Sequence, residues 1–282
     1  GHIYAFWNAY FSSCYPGSFT RSTNGGGSYE SCTQIPDDPY WGTLTVAPDG
    51  TLYTVGVPLF GDDFVVTRST NAQQAGQAVS WTSTAFALGG SIDSNTGPNP
   101  GGLLGQAHIA TIPDGGPQGY ALCVLCSVNP VGTDPLDIKF TRSTNGGTAW
   151  SVPVRVNDDT GNAWQWFGTM STSPSGRIDA VWLDTRDNPG TYLSSLYYAY
   201  STDGGLSWSE NERLSEAFDP HVGWPNQNKM GDYFHMLSDE TGFSLAWAAT
   251  FNGEQDVYYA RMSLGATAAG QTPPPPMALL ES

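Results

Sequence analysis

Ser201-Thr202-Asp203-Gly204-Gly205-Leu206-Ser207-Trp208 is a tight turn between strand-like stretches, and its core recurs along the chain. Thr20-Arg21-Ser22-Thr23-Asn24-Gly25-Gly26 and Thr141-Arg142-Ser143-Thr144-Asn145-Gly146-Gly147 are further copies, and Thr67-Arg68-Ser69-Thr70-Asn71 is a degenerate one. An aromatic residue follows each: Tyr29, Trp81, Trp150 or Trp208. Asn or Asp ahead of Gly-Gly is hairpin chemistry, because these residues tolerate positive φ. The Ser hydroxyl and the Asn/Asp side chain can tie the turn's own backbone, and the trailing aromatic can pack beneath it. The serines lie 47, 74 and 58 residues apart, too irregular for a solenoid but suited to repeated sheets with loops of variable length.

A second repeated element precedes each turn: Pro48-Asp49-Gly50-Thr51-Leu52, Pro113-Asp114-Gly115-Gly116, Pro174-Ser175-Gly176-Arg177 and Glu240-Thr241-Gly242-Phe243. Each reads as an inner strand, a Gly turn and a second strand. The unit is four antiparallel strands, a to d, and such sheets in radial repetition are propeller blades. The fold expected is therefore all-β, a β-propeller of four-stranded antiparallel blades.

On these residues the sequence resembles the sialidase-like (Asp-box, or BNR-repeat) β-propellers up to about Met262. Their Ser-x-Asp-x-Gly-x-x-Trp turn is matched in full by Ser201, Asp203, Gly205 and Trp208, while Ser143, Asn145 and Trp150, and Ser22 with Asn24, carry Asn for Asp. The resemblance implies fold-stabilising turns at these positions. Three complete blades lie between two partial ones. That count fits part of the family's six-bladed ring with upstream sequence missing, or a five-bladed ring closed by the two partial blades. The expected organisation is a propeller over 1–265 and a Pro-rich linker or tail over 266–282, leading to a further domain or partner.

Composition narrows the function classes. The 282 residues hold 34 Gly, 20 Pro, 10 Trp and 14 Tyr, with 26 acids against 10 bases and a net charge of −16. No basic stripe exists to track a nucleic-acid backbone or an anionic membrane. The longest apolar run, Tyr120 to Val128, is too short to cross a bilayer. Cys14 and Cys32 fall in one blade, where a disulfide would fit secretion or the cell surface. Cys123 and Cys126, three apart on a strand, point to opposite faces and read as buried small hydrophobes.

In a propeller the d–a and b–c loops form the face opposite these turns. Tyr40, Trp41, His108, Trp164, Trp166, His221, Trp224, Asn226 and Lys229 fall there as ligand-binding candidates. Aromatic faces stack on sugar rings while amides and charges bind hydroxyls, so the partner expected is a glycan or glycoconjugate. Asp38, Asp159, Asp184, Arg186, Asp232 and Tyr233 are the candidates for catalysis. The resemblance also implies a sialidase arginine triad, but the family's Arg-Ile-Pro motif is absent and Arg186 alone is well placed. Two readings stand: a sialidase-like glycoside hydrolase or related glycan-degrading enzyme, and a non-catalytic glycan- or protein-binding propeller or scaffold module. Asp158 and Asp187 offer hard oxygens suited to Ca²⁺.

Overall fold

Alternating apolar residues between Gly-bearing turns produce short antiparallel strands, each paired with the next in sequence. The computed structural model describes residues 1–60, 63–231 and 233–263. The first sheet pairs β1 (Ile3–Phe6) with β2 (Phe19–Ser22), and the second runs β3 (Leu44–Val46), β4 (Leu52–Gly56), β5 (Phe64–Ser69), β6 (Thr82–Phe86). Three short strands follow: β7 (Gly90–Ser91) and the hairpin β8 (Ser94–Thr96) and β9 (Asn99–Leu103). The third sheet is β10 (His108–Pro113), β11 (Tyr120–Pro130), β12 (Asp137–Ser143), β13 (Val154–Arg155), with β7 added against β11. The fourth is β14 (Gln165–Thr172), β15 (Ile178–Asp184), β16 (Ser195–Ser201), β17 (Glu212–Arg213). The last has three strands, β18 (His235–Asp239), β19 (Gly242–Ala249) and β20 (Asp256–Ser263). The chain is thus all-β, with three complete four-stranded blades and two partial ones among the described residues, a β-propeller architecture.

The described chain packs as two units. One comprises Gly1–Leu88, Ala107–Val124 and Thr141–Val152; the other holds Gly89–Gln106, Leu125–Phe140 and Pro153 onward. In the first, Phe19, Ile35, Leu52 and Ala72 form a core against which Trp81 packs, and Arg21, 1% exposed, donates to the carbonyls of Asn71, Ala72 and Gln77. In the second, all seven residues of β15 are buried. Its Asp179 is held by Arg177 at 2.8 Å and by the Tyr198 hydroxyl at 2.7 Å.

The repeated turns close as their chemistry predicts. Ser201 Oγ donates to Asp203 Oδ1 at 2.8 Å and accepts the Gly205 amide at 2.9 Å. Ser143 and Ser22 make the same pair with Asn145 and Gly147, and with Asn24 and Gly26. Gly205 takes φ +84, and a Cβ there would lie 2.0 Å from the Phe140 ring, so both backbone and packing demand glycine. Trp208 meets the same ring edge-on at 5.3 Å, and Trp150 stacks on Phe86 at 4.4 Å.

Two details differ from the sequence reading, and two of its assignments, Asp232 and the 266–282 tail, lie outside the described residues. The outermost segment of the first sheet reduces to a bridge between Phe19 and Thr33. The β8–β9 hairpin rises from sequence that reads as loop. Cys14 and Cys32 form a disulfide, and Cys123 and Cys126 are free and buried.

Candidate functional site

The site lies in the second unit, where the loop entering β14 meets the loop between β15 and β16. Pairing of β14 with β15 slips between Trp166 and Thr169. Phe167 there takes φ +55 and its amide donates to the Leu104 carbonyl at 2.8 Å. Such a bulge re-aims the strand end. Just before β14, the Trp164 amide donates to Thr185 Oγ1 at 2.9 Å, which joins the two loops. Between them opens a cleft of about 660 Å³ whose lining includes Asp159, Asn162, Trp164, Arg186, Asp187 and Tyr192.

One side of the cleft is an ionic lattice. Arg186 donates from Nε to Asp184 at 2.9 Å, from one terminal nitrogen to Asp158 at 2.6 Å, and from the other to Asn211 at 3.0 Å. Its guanidinium lies 4.4 Å from the centre of the Tyr197 ring, whose hydroxyl donates to Asp187 at 2.9 Å. Arg155 bonds Asp137, meets Asp159 at 3.0 Å and lies 3.5 Å from Asp134. Burial pushes the Asp184 carboxyl up against the pull of Arg186. Burial, then repulsion from Asp137, raises Asp134 to about 6 despite Arg155. Burial also acts on Asp158, but the Asn211 amide and Arg186 outweigh it and hold that carboxyl low. Asp159 Oδ2 is buried without a hydrogen-bond partner.

The other side is aromatic. Trp164 and Tyr192 meet edge to face, their centroids 6.2 Å apart, and the His221 ring lies 5.0 Å from Tyr192. A half-exposed Trp–Tyr pair beside carboxylates, an amide and hydroxyls offers stacking and hydroxyl recognition together.

No family model and no curated protein matches the chain. Solved structures do match in fold. Penicillium chrysogenum alpha-L-arabinanase complexed with arabinobiose aligns with a TM-score of 0.55 and 16% identity, over 92% of this chain and 74% of that one. The GH93 alpha-L-arabinofuranosidase of Fusarium graminearum with arabinobiose gives 0.53 and 15%, over 86% and 68%. A PL25 ulvan lyase gives 0.50 and 10%, over 93% and 64%. At these identities the likeness is one of fold.

Of the sequence candidates, Asp159, Trp164 and Arg186 line the cleft, with His221 behind Tyr192. Asp184 is fully buried and serves to hold Arg186, Trp182 and Gln165, so it is lattice rather than catalytic group. Arg186 is likewise committed to the chain's own carboxylates. Trp166, expected to bind ligand, is fully buried and donates to Ser194. Asp38, in the first unit, is 9% exposed and accepts from Ser18 and Gln34, so its oxygens are occupied. Tyr40 and Trp41 pack edge-on at 4.7 Å in that unit, where half-buried His108 also lies. Trp224 is 48% and Tyr233 77% exposed, Asn226 is exposed and Lys229 half-buried; none lines the cleft. Asp232 is outside the described residues.

The Ca²⁺ candidates Asp158 and Asp187 accept from Arg186, Asn211 and Tyr197, and no group of three His, Cys, Asp or Glu side chains placed to hold a metal ion exists among the described residues. Sequence reasoning missed Tyr192, Asn162, Asp134 and the role of Arg155. Of these only Arg155 carried a signal, as one of few arginines outside the repeated turns.

Proposed function

We propose that the chain is a carbohydrate-active β-propeller that degrades a neutral polysaccharide, with the cleft between Trp164, Tyr192 and Asp159 as its substrate site. The observation that carries the reading is that one cleft is lined by both the aromatic pair and carboxylates. Propellers solved as an arabinanase, an arabinofuranosidase and a lyase support the class by fold analogy. Of the two carboxyl groups that line the cleft, Asp187 is the candidate for an acid or base role in glycoside cleavage, while the Asp159 side chain is 6% exposed and bonded by Arg155 and Asn157.

A neutral substrate is favoured over a sialylated one. A carboxylate clamp needs uncommitted guanidinium groups, whereas Arg155, Arg177, Arg186 and Arg213 all bond the chain's own acids. Around the cleft, Asp134, Asp137, Asp158, Asp159, Asp184 and Asp187 outnumber Lys139, Arg155, Arg186 and Arg213, which repels a polyanion. The Cys14–Cys32 disulfide supports a secreted or surface setting.

Reducing-end release from arabinan, xylan, sialyllactose and ulvan tests the reading. Release from a neutral polymer, lost in Asp187→Asn while binding persists, is expected; turnover confined to sialyllactose or ulvan would refute it. One observation favours a second reading, binding without turnover: Asp159 and Asp187 already bond Arg155 and Tyr197. Retention on the neutral polymer with no released ends would select it.

A further inference from the structure

The turn of the β8–β9 hairpin touches the aromatic side of the cleft from behind. Gly97 takes φ +53, and a Cβ there would fall 2.6 Å from Cη2 of Trp164. Only a residue without Cβ lets the backbone approach the indole this closely. The Gly97 carbonyl lies 3.1 Å from His221 Nε2, so that nitrogen carries the proton and donates. His221 packs on Tyr192, and Tyr192 on Trp164, which closes a circuit of four contacts. The hairpin is locked to the loop that carries His221. Fully buried Asn99 accepts the Met230 amide at 3.0 Å and donates to Leu103 at 2.7 Å. A Cβ at Gly101 would sit 2.2 Å from the Asn228 carbonyl.

We propose that Gly97 and His221 are positioning residues: they fix the angle and spacing of Trp164 and Tyr192 as a two-ring platform for a neutral oligosaccharide. The proposal rests on the reading of the cleft as a glycan site. Stacking strength depends on ring orientation, and side chains held in place by a supporting shell lose less freedom on binding. The Gly97 contact limits the indole, and the His221 ring, held by its bond to the Gly97 carbonyl, packs against Tyr192.

Calorimetric titration of the full chain with arabinotriose, xylotriose and cellotriose tests this, alongside near-UV circular dichroism and melting. Four variants are compared: Trp164→Ala, Gly97→Ala, His221→Ala and His221→Gln, whose amide can still donate to the Gly97 carbonyl. Trp164→Ala is expected to abolish binding. Gly97→Ala and His221→Ala should weaken it about tenfold and change the aromatic dichroism. His221→Ala should keep its melting temperature, and His221→Gln should recover most of the affinity. If Trp164→Ala loses binding while Gly97→Ala and both His221 variants bind like the parent, the positioning role is overturned and the cleft reading stands. If Trp164→Ala binds like the parent, or the parent binds none of the three sugars, the cleft reading itself fails and the proposal with it.

Discussion

Asp184 has no solvent contact, and a lone carboxylate there would carry an uncompensated desolvation cost. Arg186, Trp182 and Gln165 supply its partners, so the cleft's ionic side is a scaffold whose members depend on one another. Arg186→Ala is expected to lower stability by about 3–5 kcal/mol, the range for orphaning one member of a buried ion pair; urea unfolding checks it. Asp134 behaves differently. Its carboxyl titrates at about 6 in the folded protein against an ordinary 3.8, so the folded state takes up the extra proton. Its contribution to stability is fully present below the ordinary value of 3.8 and is lost as pH rises through about 6. Asp134→Asn should therefore raise the melting temperature more at pH 7.5 than at pH 5, read from melts at the two pH values.

The repeated turns and the β8–β9 hairpin differ in how their stability is built. Ser201 Oγ satisfies Asp203 and two backbone amides, those of Asp203 and Gly205. Ser201→Ala is expected to cost about 1–3 kcal/mol, because a turn amide is left unpaired. Ser69 bonds Asn71 but lacks the Gly-Gly that follows the other serines; Asn71 accepts the Ser80 amide as Asn24, Asn145 and Asp203 accept theirs, across a longer loop. Ser69→Ala should cost less, in the same denaturation experiment. These turns were legible in the sequence because Asn/Asp-Gly-Gly chemistry is local. Asp159, Trp164 and Arg186 were legible because the strand pattern assigns their loops to one face.

Trp166 was misread for a geometric reason: it shares a face with Trp164, but two residues carry it roughly 7 Å further into the blade. Tyr192 follows Asn188-Pro189-Gly190-Thr191, where no periodicity marks a side chain's direction. The hairpin carries Gly97, Pro98, Pro100, Gly101 and Gly102, residues that weaken strand propensity, and its Asn99 anchor pairs with Met230, 131 residues away.

At the scale of the whole molecule, the acidity and the Gly- and Trp-rich composition have separate origins. Glycines and tryptophans of the repeated turns, such as Gly147, Gly205, Trp150 and Trp208, belong to blade turns and their packing, while part of the acidic excess is drawn into the lattice beside the cleft. The Cys14–Cys32 link closes a sequence separation of 18 near the start of the chain. Replacing both cysteines by serine is expected to lower stability by about 3 kcal/mol in chemical denaturation. On the proposed function, the same molecule-wide charge favours a neutral polymer over a polyanion, and the Trp164–Tyr192 pair is where it would bind. A crystal structure of the intact chain soaked with arabinotriose tests that claim most directly. The account predicts a sugar ring on Trp164 or Tyr192 with hydroxyls bonded to the Asp159–Asp187 side; a sugar bound elsewhere, with the cleft filled only by water, would contradict it.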